Sequence, residues 1–189
     1  MLKAPKVNRA SKGDKSKARP FDSCQTPGYA VEPLLPYLKP EQVIWECAAG
    51  EGLLSQALRE SGRVVIESDV LTGQNFFEYE PPVWEVLITN PPFSLKFDWL
   101  ARCYELGKPF ALLLPVETLG AAKAQTLFRV HGVEVIFLNK RINFKMPNMG
   151  WSGGGAWFPV AWFTHGLGVG RDMTFCAPAP RLQQANRGN

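Results

Sequence analysis

Asn90-Pro91-Pro92-Phe93 places an amide, two rigid prolines and an aromatic ring in direct succession after the apolar run Val86-Leu87-Ile88-Thr89. Such a run reads as a buried strand, and open α/β sheets bind ligands at the C-terminal edge of their strands. The prolines fix the backbone and keep the carbonyl oxygens of the turn out of helical hydrogen bonds. An amide oxygen, a carbonyl oxygen and a ring face together suit an amino group attached to a planar ring.

A second constellation, Glu46-Cys47-Ala48-Ala49-Gly50-Glu51-Gly52, stands between a predicted strand and a predicted helix. Gly50 and Gly52 permit positive φ and let a ligand approach the backbone closely. A pyrophosphate fingerprint needs a third glycine at position 55, which is Ser55. Glu46 and Glu51 repel phosphate and favour a cation, so an ammonium or sulfonium group fits better than a dinucleotide. An ordinary strand–helix turn is the alternative. Glu67 and Asp69 end the next strand on the same sheet edge, where either carboxylate can take both hydroxyls of a ribose. Asn75 can bind an adenine edge while Phe76 or Phe77 packs on its face; taken alone, these aromatics read better as core.

The elements that must position these groups alternate in type. A short helix is predicted from Pro27 to about Leu38, and strands over 43–48, 63–68, 84–89, 109–116, 133–138 and 157–164. Helices are predicted over 51–61, from a Ser94 cap to Gly107, and over 121–130. Alternation of strand and helix predicts an α/β domain with a mostly parallel sheet and helices on both faces. The last two strands are joined by the Gly-rich stretch 149–155 with no helical pattern, which predicts an antiparallel hairpin closing the sheet.

With 189 residues, 46% of them hydrophobic, the chain can bury one core and is expected to form a single domain over 21–175. Residues 1–20 carry seven Lys/Arg and one acid, a net +6 that leaves −2 for the remainder. Their lack of large apolar residues predicts a disordered basic tail. This tail is either an arm attracted to nucleic-acid phosphate or a solvated terminus. Residues 176–189 are expected to fray. No apolar run approaches the ~18 residues of a membrane helix, and the four scattered cysteines suggest neither a zinc site nor a disulfide framework. No membrane or metal is expected, and a reducing cytoplasm, bacterial or phage-infected, is the expected location.

On Gln25-Thr26-Pro27, the turn 46–52, the acids Glu67 and Asp69, Asn75-Phe76 and Asn90-Pro91-Pro92-Phe93, the chain from about Phe21 to Phe163 resembles the class I S-adenosylmethionine-dependent methyltransferases. Within them it is similar to small phage-type or solitary N6-adenine DNA methyltransferases. Asn75 departs from the acid usual at its position, and Gly73 to Val83 is short for the usual helix. No segment is long enough for a separate target-recognition domain.

The resemblance implies a Rossmann-like fold, S-adenosylmethionine as cofactor and the activity of a site-specific, adenine-specific DNA methyltransferase. It places Asn90, Pro91, Pro92 and Phe93 in catalysis. Thr26, Pro27, Glu46, Ala48, Gly50, Gly52, Glu67, Asp69, Asn75 and Phe76 are placed around the cofactor. The expected partner is DNA, with RNA adenine or guanine as an alternative substrate. A non-catalytic relative that binds DNA is a reading from a different class. A base inside a duplex must be flipped out to react. The segment 139–157 is the candidate to handle it, with Lys140, Arg141 and Lys145 for phosphate and Phe144 and Trp151 for stacking.

Overall fold

The computed structural model describes residues 20–146, 150–151, 158–170 and 173–175. The expected basic tail, apart from Pro20, and the expected frayed end at 176–189 lie outside the described residues, as do 149 and 152–155 of the Gly-rich stretch. In chain order the regular elements are β1 Val43–Glu46, α1 Leu53–Glu60, β2 Val64–Glu67, β3 Val86–Thr89, α2 Lys96–Leu106, β4 Phe110–Pro115, α3 Ala122–His131 and β5 Glu134–Phe137. They are followed by β6 Lys145–Met146, β7 Gly150–Trp151, β8 Val160–His165 and β9 Met173–Phe175.

Seven strands form one sheet in the order β2-β1-β3-β4-β8-β5-β9, while β6 and β7 make a separate small hairpin. β1 pairs in parallel with both β2 and β3, and β3 with β4. β8 runs antiparallel to both β4 and β5. The fold is therefore the expected Rossmann-like, mostly parallel sheet with an antiparallel C-terminal pair. One detail differs: β8 inserts between β4 and β5 instead of closing the sheet, and the edge belongs to β9, parallel to β5.

Period-2 alternation sends neighbouring residues to opposite faces. Ile44, Ile88, Ala111, Leu113 and Trp162 face one core, covered by Leu54 and Leu58 of α1 and by Ala30 and Leu34. Trp45, Leu87, Leu112 and Phe163 face the other, covered by Trp99, Leu100 and Cys103 of α2 and Ala124 of α3. Helical elements thus lie on both faces. Among the described residues no helix is long and apolar enough to cross a membrane.

One local expectation is refined and another corrected. The segment Gly28–Tyr37 is a 3-10 helix containing Pro33 and Pro36, whose missing N–H groups deprive an α-helix of its bonds. Ser94 does not cap α2: one 3-10 turn, Phe93–Leu95, intervenes, and Leu95 is the N-cap without a side-chain bond.

Leu100 is fully buried between α2 and the sheet. Leu100→Ala is expected to cost about 2–5 kcal/mol of stability, read as a lower denaturant midpoint. A midpoint equal to the wild-type value would contradict this packing.

Candidate functional site: two turns at one sheet edge

From β1 the chain moves outward to β2, then returns across β1 to β3 and continues to β4. The direction of winding reverses between β1 and β3, the point where open α/β sheets form a crevice. The turn after β1 carries Gly50 and Gly52; the turn after β3 carries Asn90 to Phe93. Neighbouring parallel strands lie about 4.8 Å apart, so the two turns are brought side by side. One cavity is lined by residues of both: Glu46, Ala48, Ala49 and Asn90, together with Cys24, Gln25, Thr26 and Leu54.

Glu46 closes β1 and is 1% exposed. Its Oε1 accepts hydrogen bonds from the Ala48 N–H at 3.0 Å and from the Thr89 hydroxyl at the end of β3. Burial, aided by the charges of Asp69 and Glu67 and opposed by those two hydrogen bonds, pushes the carboxyl from its ordinary 4.5 up to about 8. A neutral acid therefore stands at the centre of the crevice, and an arriving cation would favour its ionised form.

Asn90 Oδ1 is buried and has no hydrogen-bond partner among the described residues, and the same holds for Thr26 Oγ1. An unpaired buried acceptor costs about 1–3 kcal/mol, so two oxygens on one cavity mark a place that a donor can fill. The Pro92 carbonyl accepts from Leu95 N–H at 3.0 Å, which corrects the expectation that both proline carbonyls are free. No backbone N–H donates to the Pro91 carbonyl among the described residues. Half-buried, the Phe93 ring meets Phe144 and Phe158 edge to face at 6.3 and 5.7 Å.

The glycine turn is held from outside. Gly50 (φ 54°) donates to Asp69 Oδ2 at 2.9 Å, and Glu51 N–H donates to Gln25 Oε1 at 2.9 Å. A Cβ on Gly50 would lie 2.5 Å from Gln25 Nε2, so this position requires glycine on two counts. Gln25 and Lys145 exchange both backbone hydrogen bonds, at 2.9 and 3.0 Å. Lys145 Nζ reaches Glu51 at 2.5 Å, and Asp22 Oδ1 accepts from Ser94 N–H at 3.0 Å. Residues 22–26 thus form a strap touching both turns. The cavity that Cys24, Gln25 and Thr26 help to line holds about 20 Å³, room for one water.

Several predicted residues stand differently from their expected roles. Both carboxylate oxygens of Asp69 serve the chain, receiving Gly50 N–H and Leu71 N–H. Glu67 flanks Gly52, with Oε1 3.4 Å from where a Cβ would be. Burial alone would raise Glu67, but the Arg59 guanidinium at 2.8 Å brings it below its usual range. Asn75 Oδ1 accepts from Phe77 N–H at 3.2 Å. Phe76 is a core residue stacked on Trp99 at 4.0 Å, which leaves it no face for an adenine. Pro27 starts the 3-10 helix at Gly28. In the expected nucleic-acid segment, Lys140 lies over the Tyr29 ring at 4.3 Å and Lys145 is bound to Glu51. Phe144, expected to stack on a base, is buried in the core. Arg141 is exposed, and Trp151 pairs through its backbone with Lys145.

Thr89, Gln25 and Asp22 belong to the site although sequence reasoning gave them no role in it. Thr89 carried one usable signal, a polar residue ending an apolar strand beside Asn90. Gln25 and Asp22 contact residues 26 and 72 positions away, which no local pattern reveals.

Above pH 4.5 an unfolded chain releases the Glu46 proton while the folded chain keeps it. Stability should therefore fall as pH rises from 4.5 to about 8, and this contribution then levels off. Glu46→Gln cannot ionise and is expected to flatten that decline in denaturant midpoints. An unchanged slope would mean the carboxyl is not held neutral.

No protein-family profile matches the chain, and no curated protein sequence does. Among solved structures, it is similar to a candidate RNA methyltransferase of Pyrococcus horikoshii, with a TM-score of 0.46 and 15% identity, over 70% of this chain and 77% of that one. It is also similar to a predicted O-methyltransferase of Agrobacterium tumefaciens, with a TM-score of 0.38 and 15% identity, over 76% of this chain and 83% of the other.

Proposed function

We propose that the protein is an S-adenosylmethionine-dependent methyltransferase that acts on the N6 amine of adenine in DNA. The observation that carries this reading is the shared cavity: Asn90, whose Oδ1 is unpaired, and the buried Glu46 line it together with Ala48 and Ala49 of the glycine turn. Had the two turns faced separate cavities, no methyl could pass between their ligands.

The donor set fits the cofactor. Glu46 offers a carboxyl to its cationic amino-acid head and Thr26 Oγ1 an unsatisfied acceptor and donor, whereas the N–H groups of Ala48 to Gly52 are already engaged within the chain. We assign the ribose hydroxyls to Glu67, which flanks Gly52 and pairs with Arg59 through Oε1, because both Asp69 oxygens already accept backbone N–H groups. When bound, the cofactor supplies an electrophilic methyl on a sulfonium.

The remaining work falls to the chain. The lone pair of an adenine amine is delocalised into the ring and is a weak nucleophile. Asn90 Oδ1 and the Pro91 carbonyl accept its two N–H bonds and favour a tetrahedral nitrogen as positive charge develops there. The prolines hold those oxygens in place, so little reorganisation is needed during transfer. Phe93 packs on the base and fixes its approach; Phe144 and Phe158, meeting it edge to face, keep that ring from turning. No general base of near-neutral pKa is required, since the amine proton becomes acidic once the methyl is attached. The target base reaches this turn flipped out or single-stranded.

Incubation with methyl-labelled cofactor and either DNA or RNA, followed by digestion to nucleosides, tests the polymer and the atom together. Labelled N6-methyladenine from DNA is the expected product; label in RNA alone, or none, overturns the proposal. Asn90→Ala is expected to lower kcat by about 100-fold or more with cofactor affinity nearly intact. Affinity lost in parallel with turnover would mean that Asn90 belongs to the cofactor and not to the amine.

A further inference from the structure

The charges around the crevice are sorted along the sheet. Glu46, Glu51, Glu67 and Asp69 gather at the ends of β1 and β2, on one side of Asn90. On the other side, beyond β3 and β4, stand Lys96, which opens α2 three residues past Phe93, and Lys123 near the start of α3. Both helices follow parallel strands, so both lysines emerge at the edge that carries the Asn90 turn.

The two ammonium groups converge on one ring: Lys96 Nζ lies 5.2 Å and Lys123 Nζ 5.9 Å from the Phe97 centroid. Lys96 has only 17% of its side chain exposed and meets one anion, Glu117, at 3.5 Å. Lys123 is exposed and makes no ion pair among the described residues. Two cations thus share an aromatic platform with a single, largely exposed carboxylate. A stem packed against the protein with its charge presented at the surface is the arrangement that receives a phosphate. The acidic side of the crevice repels phosphodiesters.

We propose that Lys96 and Lys123, flanking Phe97, form the phosphate-binding site for the nucleic-acid strand that delivers its base to Asn90. The strand then crosses the β4 side of the crevice. This site deepens the function proposed above and rests on it for the identity of the polymer. Glu117 competes with phosphate for Lys96, so its neutralisation tightens binding.

The test is anisotropy of a fluorescent single-stranded DNA oligonucleotide across a salt series, with cofactor affinity measured in parallel. The double variant Lys96→Gln/Lys123→Gln is expected to bind more weakly and to flatten the plot of log affinity against log salt by about 1.4, roughly 0.7 for each lost contact on a single strand. Lys123→Gln alone, at an exposed position, should remove about half of that even if the double variant folds poorly. Glu117→Gln should bind more tightly than wild type. Slopes that coincide with the wild-type slope overturn the site while leaving methyl transfer intact. Binding with the expected slopes but no methylated product overturns the function and leaves the site standing.

Discussion

One buried hydrogen bond, from the Thr89 hydroxyl to the Glu46 carboxyl, ties the end of β1 to the end of β3. Both turns of the candidate site start from its two partners. The turn that follows Glu46 carries the glycines, and the residue that follows Thr89 is Asn90. A carboxyl so thoroughly removed from water is costly to ionise, and the fold accommodates it by keeping the proton and supplying two donors to one oxygen. A hydrophobic pair in its place would pack without that strain. The polar pair is therefore best understood as a feature of the site tolerated by the core.

The sheet explains why the pair lies where it does. Because winding reverses between β1 and β3, no crossover helix covers the gap above their ends, and two neighbouring turns can face one space. Trp45 and Leu87, in register on the opposite face, anchor these strands in the α2–α3 core. Trp45 also donates its indole N–H to Ser68 at 2.8 Å, which draws the end of β2 to the same edge. Precision at the crevice thus comes from apolar packing on both sides of the sheet.

How much of this was legible in the sequence follows the range of the contacts. The strands and the turns after them were readable because apolar runs, glycines and the Asn-Pro-Pro-Phe succession are local signals. Their extents came out shorter than expected, since only part of each run is paired. Insertion of β8 between β4 and β5 was not readable, because an antiparallel hairpin at the edge and one threaded inward have the same pattern. Choosing between Glu67 and Asp69 required knowing which of them bonds Gly50 N–H. Phe76 illustrates the ambiguity of aromatics: a ring beside a binding residue and a ring in the core are the same letters. Lys145 and Gln25 acquire their roles only once residues 25, 51 and 145 meet in space.

The strap formed by residues 22–26 has a kinetic consequence. It rests on the glycine turn through Gln25 and on the Asn90 turn through Asp22 and Ser94, so one short segment touches both. For a guest that enters beneath this segment, its lifting would precede contact and would place association below the usual range for rigid sites. The same barrier retards escape, so a guest once enclosed would persist through many target encounters.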